Sequence, residues 1–351
     1  MNFASDNAAG IAPEILDALS AGNDGFVSGY GNDDVTLAVE RRIGEVFERE
    51  VAVFLVPTGT AANALALAHV SPPWGAVFAH AEAHSLTDEC GAPEFFGGGL
   101  KLVGMPGVAC KVSPETLAAT VSQYQGHAPH RVVPAAFSFA QASEAGTIYR
   151  SDEIAALAKI AHDHGMKVHM DGARFANALV RMNASPAEAT WKAGVDVLSF
   201  GATKGGALAA EAVVFFDRAA AEHMGERRKR AGHLLSKHRF LALQFQAFLA
   251  NDCWLRLARH ANGMADRLAS GLAAVGCPPV WPVEANLVFV LLPKAMEARL
   301  RAAGARYYVR RIDSLPGGAG IGPEQALIRL VTSFATREDE VDRFIALAAK
   351  A

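Results

Sequence analysis

Residues 166–206, MKVHMDGARFANALVRMNASPAEATWKAGVDVLSFGATKGG, indicate the architecture of this chain. They contain two β-rich runs, and each is followed by a charged side chain among small residues, Asp171 after the first and Lys204 after the second. The spacing between the two is 204 − 171 = 33 residues, the length of one helix plus one strand. Two neighbouring parallel strands would present both groups to the crevice at the carboxyl edge of the sheet. The stretch therefore predicts an α/β fold with a largely parallel sheet.

The flanking segments continue this alternation of strands and helices. Strands are predicted at residues 51–56, 131–139 and 211–216, although Pro134 is unfavourable inside a strand. One helix is predicted at 61–68, and another begins with Ser151 as its N-cap and ends at Gly165. A further helix is predicted from Ser185-Pro186 to Gly194, and residues 224–276 are predicted to be helical with few breaks.

The last quarter of the chain has a different pattern. Strands are predicted at 286–292, 307–311 and 327–334, and helices at 293–304 and 336–350. This predicts two domains, a large α/β domain at residues 1–245 that includes the N-terminal segment, and a smaller α+β domain at residues 246–351.

Composition and charge exclude several classes of function. Of the 351 residues 51% are apolar and 20% are charged, which is ordinary for a globular protein, and the formal net charge is −3. The one basic run, residues 227–230, lies in a helical pattern and is interpreted as a solvated helix face. We therefore expect no nucleic-acid partner.

The cysteines and the N-terminus indicate where the protein works. The four cysteines fall at no metal-ligand spacing and in no disulfide framework, so they are interpreted as thiols of a reducing compartment, and no metal site is expected. The N-terminus lacks the pattern of a signal peptide, and no apolar run approaches membrane-spanning length. We expect a cytoplasmic protein without a membrane partner.

A phosphate-binding turn is predicted where the first strand meets its helix. Thr58-Gly59-Thr60 combines the free N–H groups of a helix N-terminus with two hydroxyls and a glycine that permits close approach. The pattern matches neither a dinucleotide fingerprint nor a nucleoside-triphosphate loop. Many such turns bind nothing, so this signal is weak alone.

Asp171 and Lys204 add two further groups to this turn. A carboxylate at a strand end would pair with a pyridine nitrogen and keep it protonated, although an ion pair with Arg174 or a helix cap is an equal alternative. A lysine between small residues would bond an aldehyde carbon, whereas an isolated lysine there would be an exposed loop residue. Phosphate, ring nitrogen and aldehyde are the three groups that pyridoxal 5′-phosphate (PLP) presents, so the combination predicts a PLP site.

Several motifs in order resemble those of one family, the low-specificity L-threonine aldolases, over nearly the whole chain. They are Ser5-Asp6, Tyr30-Gly31-Asn32-Asp33, Pro57-Thr58-Gly59-Thr60-Ala61-Ala62-Asn63, Ala83-His84, Asp171-Gly172-Ala173-Arg174, Thr203-Lys204-Gly205 and Ile328-Arg329-Leu330-Val331-Thr332. The resemblance implies PLP fold type I, the aspartate aminotransferase-like architecture.

The resemblance also implies roles for the matching positions. His84 would stack on the pyridine ring, although a hydrogen-bonded core histidine is the alternative. Gly59 and Thr60 would hold the phosphate, and Thr203 would contact the cofactor beside Lys204. The substrate α-carboxylate would be bound by Ser5, Arg174 and Arg329.

One segment departs from the family pattern. Many members have a histidine in a Glu-Asn-Thr-His segment, linked to the substrate hydroxyl, whereas this chain has Gln141-Ala142-Ser143-Glu144 and is similar to the branch with a Gln-Ala-Ser-Glu segment. The departure leaves the general base open. His84, acting through water, is one candidate, and His127 and Asp88 are candidates for part of the role.

The implied reaction is the retro-aldol cleavage of L-threonine, L-allo-threonine and related β-hydroxy-α-amino acids into glycine and an aldehyde. The alternatives are a β-eliminating lyase or transaminase of the same fold, which would form keto acids, and a non-catalytic oligomeric scaffold. The resemblance further implies a homotetramer or homodimer, in which Tyr30 and residues 230–239 would reach into a neighbour's pocket.

Overall fold

The structure is a computed structural model that describes residues 1–310 and 320–350. This part of the chain contains a large and a small β-sheet. The strands of the large sheet are β1 (Ala52–Val56), β2 (Gly75–His80), β3 (Lys101–Met105), β4 (Val133–Ala140), β5 (Lys167–Gly172), β6 (Val197–Gly201) and β7 (Glu211–Phe215). Those of the small sheet are β8 (Leu287–Pro293), β9 (Tyr308–Val309) and β10 (Gln325–Val331).

The large sheet has the strand order β1-β7-β6-β5-β4-β2-β3. The parallel pairs are β3–β2, β2–β4, β4–β5 and β5–β6. Strand β7 runs antiparallel to both of its neighbours, β1 and β6. The prediction of an α/β fold with a mostly parallel sheet is confirmed. Because β5 and β6 are adjacent and parallel, their carboxyl ends lie at the same edge of the sheet, with Asp171 near the end of β5 and Lys204 just beyond β6.

Pro134 lies inside β4, between two other strands, where a proline would normally remove a ladder hydrogen bond. The register shifts at this point, since Ala76 of β2 is opposite Pro134 whereas Val77 is opposite Ala136. This irregularity places the proline where the regular ladder is already interrupted, so the strand continues past it.

Helices pack around the large sheet and beside the small one. They are α1 (Pro13–Ala21), α2 (Asp34–Val46), α3 (Gly59–Val70), α4 (His84–Thr87), α5 (Ala92–Phe96), α6 (Pro114–Ser122), α7 (Ser151–Asp163), α8 (Phe175–Met182), α9 (Met224–Arg230), α10 (Arg239–Leu249), α11 (Cys253–Ala274), α12 (Lys294–Ala302) and α13 (Glu338–Ala348).

The prediction of a helix from Ser185-Pro186 to Gly194 is wrong. The connection from β5 to β6 contains α8, and residues 186–190 form turns that lead into a 3-10 helix at Trp191–Ala193. The Ser185 hydroxyl accepts a hydrogen bond from Glu188 N, and the Glu188 carboxylate accepts one from Ser185 N. A capping pattern is therefore present, but it closes a single turn because no helical hydrogen-bond ladder follows it.

The start of α7 is one residue earlier than predicted, with Arg150 rather than Ser151 as the N-cap. The Glu153 carboxylate accepts a hydrogen bond of 2.7 Å from Arg150 N, so the acidic residue of the first turn caps the helix from inside. Gly165, at φ +71°, follows the last turn as predicted.

An aromatic cluster fills the core between the large sheet and the helices. Phe200 of β6 is fully buried and lies 5.5–5.9 Å, between ring centroids, from Phe47, Phe175, Phe245 and Trp254. These rings come from α8, α10 and α11 and from the residue that follows α2, so they fix the end of β6 that leads into Lys204.

The small sheet has a core of its own, in which Phe3 packs edge-to-face on Phe344 of α13, with ring centroids 5.3 Å apart. Phe3 N donates to Arg306 O and Phe3 O accepts from Val331 N, so the N-terminus crosses to the small sheet. Helix α11 contributes residues to both cores.

The division into domains at residues 245/246 stays a prediction. Residue 311, the last of the strand predicted at 307–311, lies outside the described residues.

Over residues 1–310 and 320–350, no helix combines the length and the apolar character that crossing a bilayer requires.

Candidate active site

One cavity of about 170 Å³ receives both Asp171 and Lys204. Asp171 is the fifth residue of β5, and Lys204 lies in the 3-10 turn Thr203–Gly205 that follows β6. A second cavity of about 500 Å³ shares Lys204, Gly59, Thr60 and His84 with the first. The sequence prediction that the carboxylate and the amine face the same crevice agrees with this placement.

The N-terminus of α3 lies beside both groups. The hydroxyl of Thr58, the N-cap, accepts a hydrogen bond of 3.1 Å from Ala61 N. Gly59 N and Thr60 N have no acceptor among the described residues, as expected of a first helical turn. A Cβ atom built on Gly59 would meet nothing within 4 Å. Free donors, open space and a helix N-terminus form an anion site.

Asp171 is fixed from two sides. Its Oδ1 accepts a hydrogen bond of 3.0 Å from Ala173 N, and its Oδ2 accepts one of 2.7 Å from Asn63 Nδ2. Burial opposes ionisation of this carboxyl, but the Lys204 charge and these hydrogen bonds outweigh it and hold the pKa of Asp171 below its ordinary value. Asp171 is therefore an oriented carboxylate at the cavity wall.

A hydrogen-bonded chain continues from Asp171 to His84. Asn63 Nδ2 also donates to Glu89 Oε1 at 2.8 Å, and the same oxygen lies 2.9 Å from His84 Nδ1. The bond to Glu89 raises the pKa of His84, and burial raises the pKa of Glu89, which is 3% exposed. Both shifts favour keeping a proton on the His84–Glu89 pair.

Glu144 lies on the other side of His84. Its Oε1 accepts a hydrogen bond of 3.0 Å from His84 N, and its side chain lines the cavity together with Asp171 and Lys204. Burial raises the pKa of Glu144 to about 7, helped by the Asp171 charge and opposed by backbone hydrogen bonds. A carboxyl group with this pKa changes protonation state near neutral pH.

Lys204 makes no hydrogen bond or ion pair with any described residue. Burial and the Arg174 charge lower the pKa of its amine, and three carboxyl groups oppose them. One of these, Glu211 of β7, has its own pKa raised to about 7 by burial. A less basic amine that no neighbour holds is suited to act as a nucleophile.

Arg174 is paired inside the protein. Its Nε donates to Asp6 Oδ2 at 2.8 Å and its Nη2 to Asp6 Oδ1 at 3.0 Å, a bidentate pair in which Asp6 is 3% exposed. Asn286, just before β8, donates to the same carboxylate at 3.1 Å. The alternative of an Asp171–Arg174 ion pair is wrong, since no such contact occurs among the described residues and Asp6 takes that place.

Arg329 of β10 makes fewer hydrogen bonds than Arg174. Its Nη2 donates to Ala4 O at 3.3 Å, and its buried Nε has no partner in the described part of the chain. Ser5 lines the same cavity but uses its hydroxyl to cap a short helix by accepting from Asn7 N. Arg310 also lines this wall.

The structure does not bring every predicted site residue together. Asp88 lines the rim of the cavity, and Thr203 lines the adjoining one, where its hydroxyl accepts from Ala210 N. Tyr30 is exposed beneath Lys229, whose Nζ lies 4.6 Å from the ring centroid. His127 is exposed in the loop between α6 and β4 and does not line either cavity.

Sequence reasoning missed Asn63, Glu89, Glu144, Asp6 and Arg310. Asn63 lies four residues after Gly59, so helical spacing already places both on one face of α3. Glu144 is the last residue of the segment Gln141-Ala142-Ser143-Glu144, at the position where many family members have a histidine. Asp6 directly follows Ser5, which is predicted to bind the substrate. Glu89 carries no signal in the sequence, because its role depends on two contacts that only the fold creates.

The residues present fit PLP. The anion site suits a phosphate, the ionised Asp171 suits a protonated pyridine nitrogen, and the unpaired amine of Lys204 suits an aldehyde carbon. The buried Arg329 Nε without a partner suits a carboxylate ligand.

Comparisons with known proteins agree with this site. The profile of the beta-eliminating lyase family matches residues 2–295. A low specificity L-threonine aldolase from Pseudomonas aeruginosa is 44% identical over 87% of this chain and 88% of the relative. The protein of the same name from a Pseudomonas species is 41% identical, with the same coverage.

Solved structures share the architecture. A Leishmania major threonine aldolase superposes with a TM-score of 0.91 and 30% identity over 99% of this chain and 98% of that one. A Sphingomonas wittichii serine palmitoyltransferase, at 15% identity, covers 99% of this chain and 86% of its own with a TM-score of 0.68, which shows a shared fold alone. The fold is that of PLP fold type I, as the resemblance implied. By sequence and structure, the chain belongs to the beta-eliminating lyases and, among them, to the low specificity L-threonine aldolase family.

Proposed function

We propose that this protein is a PLP-dependent lyase that cleaves L-threonine, L-allo-threonine and related β-hydroxy-α-amino acids into glycine and an aldehyde. One observation supports it above all: an ionised carboxylate, an unpaired lysine amine and a helix N-terminus open into adjoining cavities of a chain 44% identical to a low specificity L-threonine aldolase.

The cofactor would be held by groups from three elements. The N–H groups of Gly59 and Thr60 would bind the phosphate, and Thr203 would contact the cofactor from the turn beside Lys204. Asp171 would hold a proton on the pyridine nitrogen, and His84 would stack on the ring. When bound, PLP supplies an electron sink for the pair released when a bond to the substrate α-carbon breaks.

The substrate would be oriented by its carboxylate. The Arg329 guanidinium would bind the carboxylate through two parallel hydrogen bonds, and Ser5 lines the same cavity. Arg174 keeps Asp6 as its partner and adds positive charge close to Lys204. In this way the chain would fix which bond of the α-carbon is cleaved, and the Lys204 amine would hold the cofactor when no substrate is bound.

Product analysis tests the reaction. The holoenzyme is incubated with L-threonine, L-allo-threonine and phenylserine, and aldehyde, glycine and keto acid are measured separately. We expect aldehyde and glycine in equal amounts. Keto acid in their place would support the β-eliminating alternative, which the name of the matching family keeps open. Absence of both products and of bound PLP would support the non-catalytic scaffold.

We further propose a homodimer or homotetramer located in the cytoplasm. An exposed apolar surface supports the assembly: Phe26, Val27, Tyr30 and Leu235 are exposed, as is Leu208, which lines the larger cavity. Tyr30 and residues 230–239 would reach a neighbour's pocket from this surface. Four free cysteines fit a reducing compartment. Light scattering of the purified protein tests the assembly, and a Phe26→Asp variant is expected to weaken it.

A further inference from the structure

We propose that Glu144 is the catalytic residue that removes the proton of the substrate β-hydroxyl, in the place where the family pattern has a histidine. This inference rests on the proposed function and names a base for it. Glu144 ends the segment Gln141-Ala142-Ser143-Glu144, which stands where many members have Glu-Asn-Thr-His. The substitution exchanges one titratable side chain for another at the same position of the loop after β4.

The geometry supports a carboxyl group that is held at one oxygen and available at the other. Glu144 Oε1 is fixed by the hydrogen bond from His84 N, whereas Oε2 has no hydrogen bond to another described residue. The side chain lines the same wall of the cavity as Ala142, Leu287 and Arg310. A base needs this combination of a fixed position and a free lone pair.

The other candidates are less suited to accept a proton. His84 shares a proton with Glu89 through a contact of 2.9 Å, which favours the protonated imidazole, and a protonated imidazole is not a base. Asp88 is exposed and already accepts the Thr87 hydroxyl at 2.9 Å. His127 lies outside both cavities.

The protonation state of Glu144 suits the role. Burial raises the pKa of its carboxyl to about 7, so both forms are populated at neutral pH, which is the condition under which a general base works best. The titratable and charged groups that line the cavity with Glu144 or interact with its charge are His84, Asp88, Glu89, Cys110, Tyr149, Asp171, Arg174, Lys204, Arg310 and Arg329.

The proton transfer balances without a further reactant. The β-O–H bond breaks as a bond forms between the proton and Glu144 Oε2, and the O–H electron pair becomes the second C–O bond of the aldehyde. The pair of the Cα–Cβ bond stays with the glycine fragment, which takes up one proton in turn. Glu144 then releases its proton to solvent, so no net proton is consumed.

The test is a Glu144→Gln variant, since glutamine keeps the acceptor for His84 N but cannot take a proton. We expect aldehyde release from L-threonine to fall about 10²–10⁴-fold, the usual contribution of general base catalysis. Exchange of the glycine α-proton with D2O, followed by NMR, involves no β-hydroxyl and should continue at nearly the rate of the unchanged chain, as should PLP affinity. Glu45→Gln, at an exposed residue of α2, is the matched control and should change neither reaction.

A second readout does not depend on turnover. Infrared difference spectra of the holoenzyme should contain carboxylic-acid absorption that titrates near pH 7, from Glu144 and Glu211. The Glu144→Gln variant should lose one of these two components. In the unchanged chain kcat/KM should rise with pH through the same range, and this rise should be absent in the variant.

Different results separate the two proposals. Unchanged aldehyde release in Glu144→Gln would overturn the role of Glu144, as would an equal loss of aldehyde release, glycine exchange and PLP affinity, which indicates a structural role. If the unchanged chain itself releases no aldehyde but exchanges the glycine proton, the proposed reaction is wrong and the base proposal falls with it.

Discussion

Asp6 connects three parts of the molecule, so replacing it is expected to lower stability strongly. Asp6 accepts both hydrogen bonds of the Arg174 guanidinium after β5 and one from Asn286 before β8, and it begins the short 3-10 helix Asp6–Ala8. Burial opposes its ionisation, but the charges of Arg174 and Lys204 and these hydrogen bonds keep the pKa of Asp6 below its ordinary value. In Asp6→Asn the Arg174 charge stays buried without its partner.

The magnitude follows from the cost of a buried charge without a counter-ion. Removing one partner of a buried pair costs about 3–5 kcal/mol of unfolding free energy. With an unfolding entropy of about 2.1 cal/mol/K for each of roughly 350 residues, this corresponds to a melting temperature lower by about 4–7 °C. Because folding lowers the pKa of Asp6, the ionised carboxylate stabilises the folded protein at neutral pH. This stabilisation begins to decline when the pH falls below the pKa of Asp6 in the unfolded chain, and it is lost as the pH falls through the lower pKa of the folded chain.

Thermal unfolding followed by circular dichroism at pH 7 measures the effect. The control is Asp163→Asn, which removes the exposed i,i+4 pair of Lys159 and Asp163 on α7 and should leave the melting temperature nearly unchanged. If Asp6→Asn and the control unfold at the same temperature, the Asp6 carboxylate does not stabilise the fold.

Three further predictions concern the site and its support. Lys204→Ala should lose both the visible absorbance of bound PLP and aldehyde release, and an active, yellow variant would refute its role. Glu89→Gln should lower the pKa of His84, because the hydrogen bond that raises it loses its charge; NMR titration of the imidazole would show no shift if the pair were unimportant. Phe200→Ala should cost about 3–5 kcal/mol in chemical denaturation, since a fully buried ring leaves a cavity; a loss below about 1 kcal/mol would mean that the cluster repacks.

The parts of the fold that the sequence predicts are those governed by local patterns. The runs before Asp171 and Lys204 are β-rich and close in sequence, so their adjacency in a parallel sheet follows from connection length. The antiparallel pairing of β7 with β6 follows from the same rule, because the nine residues between them, 202–210, are too few for a parallel crossover. The prediction at Ser185 is wrong because the capping pattern is local, whereas a helix also requires a packed face, which α8 provides in this connection.

The site divides in the same way. Asp171, near the end of β5, and Lys204, just after β6, carry a positional signal in the sequence. The contacts that set their chemistry join distant segments: Asn63 reaches Asp171 across 108 residues, and Asp6 reaches Arg174 across 168. No spacing rule predicts these pairs, so the partner of Arg174 emerges only from the structure.

Product analysis of the purified holoenzyme with L-threonine distinguishes aldol cleavage from its alternatives. Acetaldehyde and glycine should accumulate in equal amounts with the unchanged chain and neither should form with Lys204→Ala. Release of keto acid and ammonia without acetaldehyde, or acetaldehyde release that survives the loss of Lys204, would contradict the assignment.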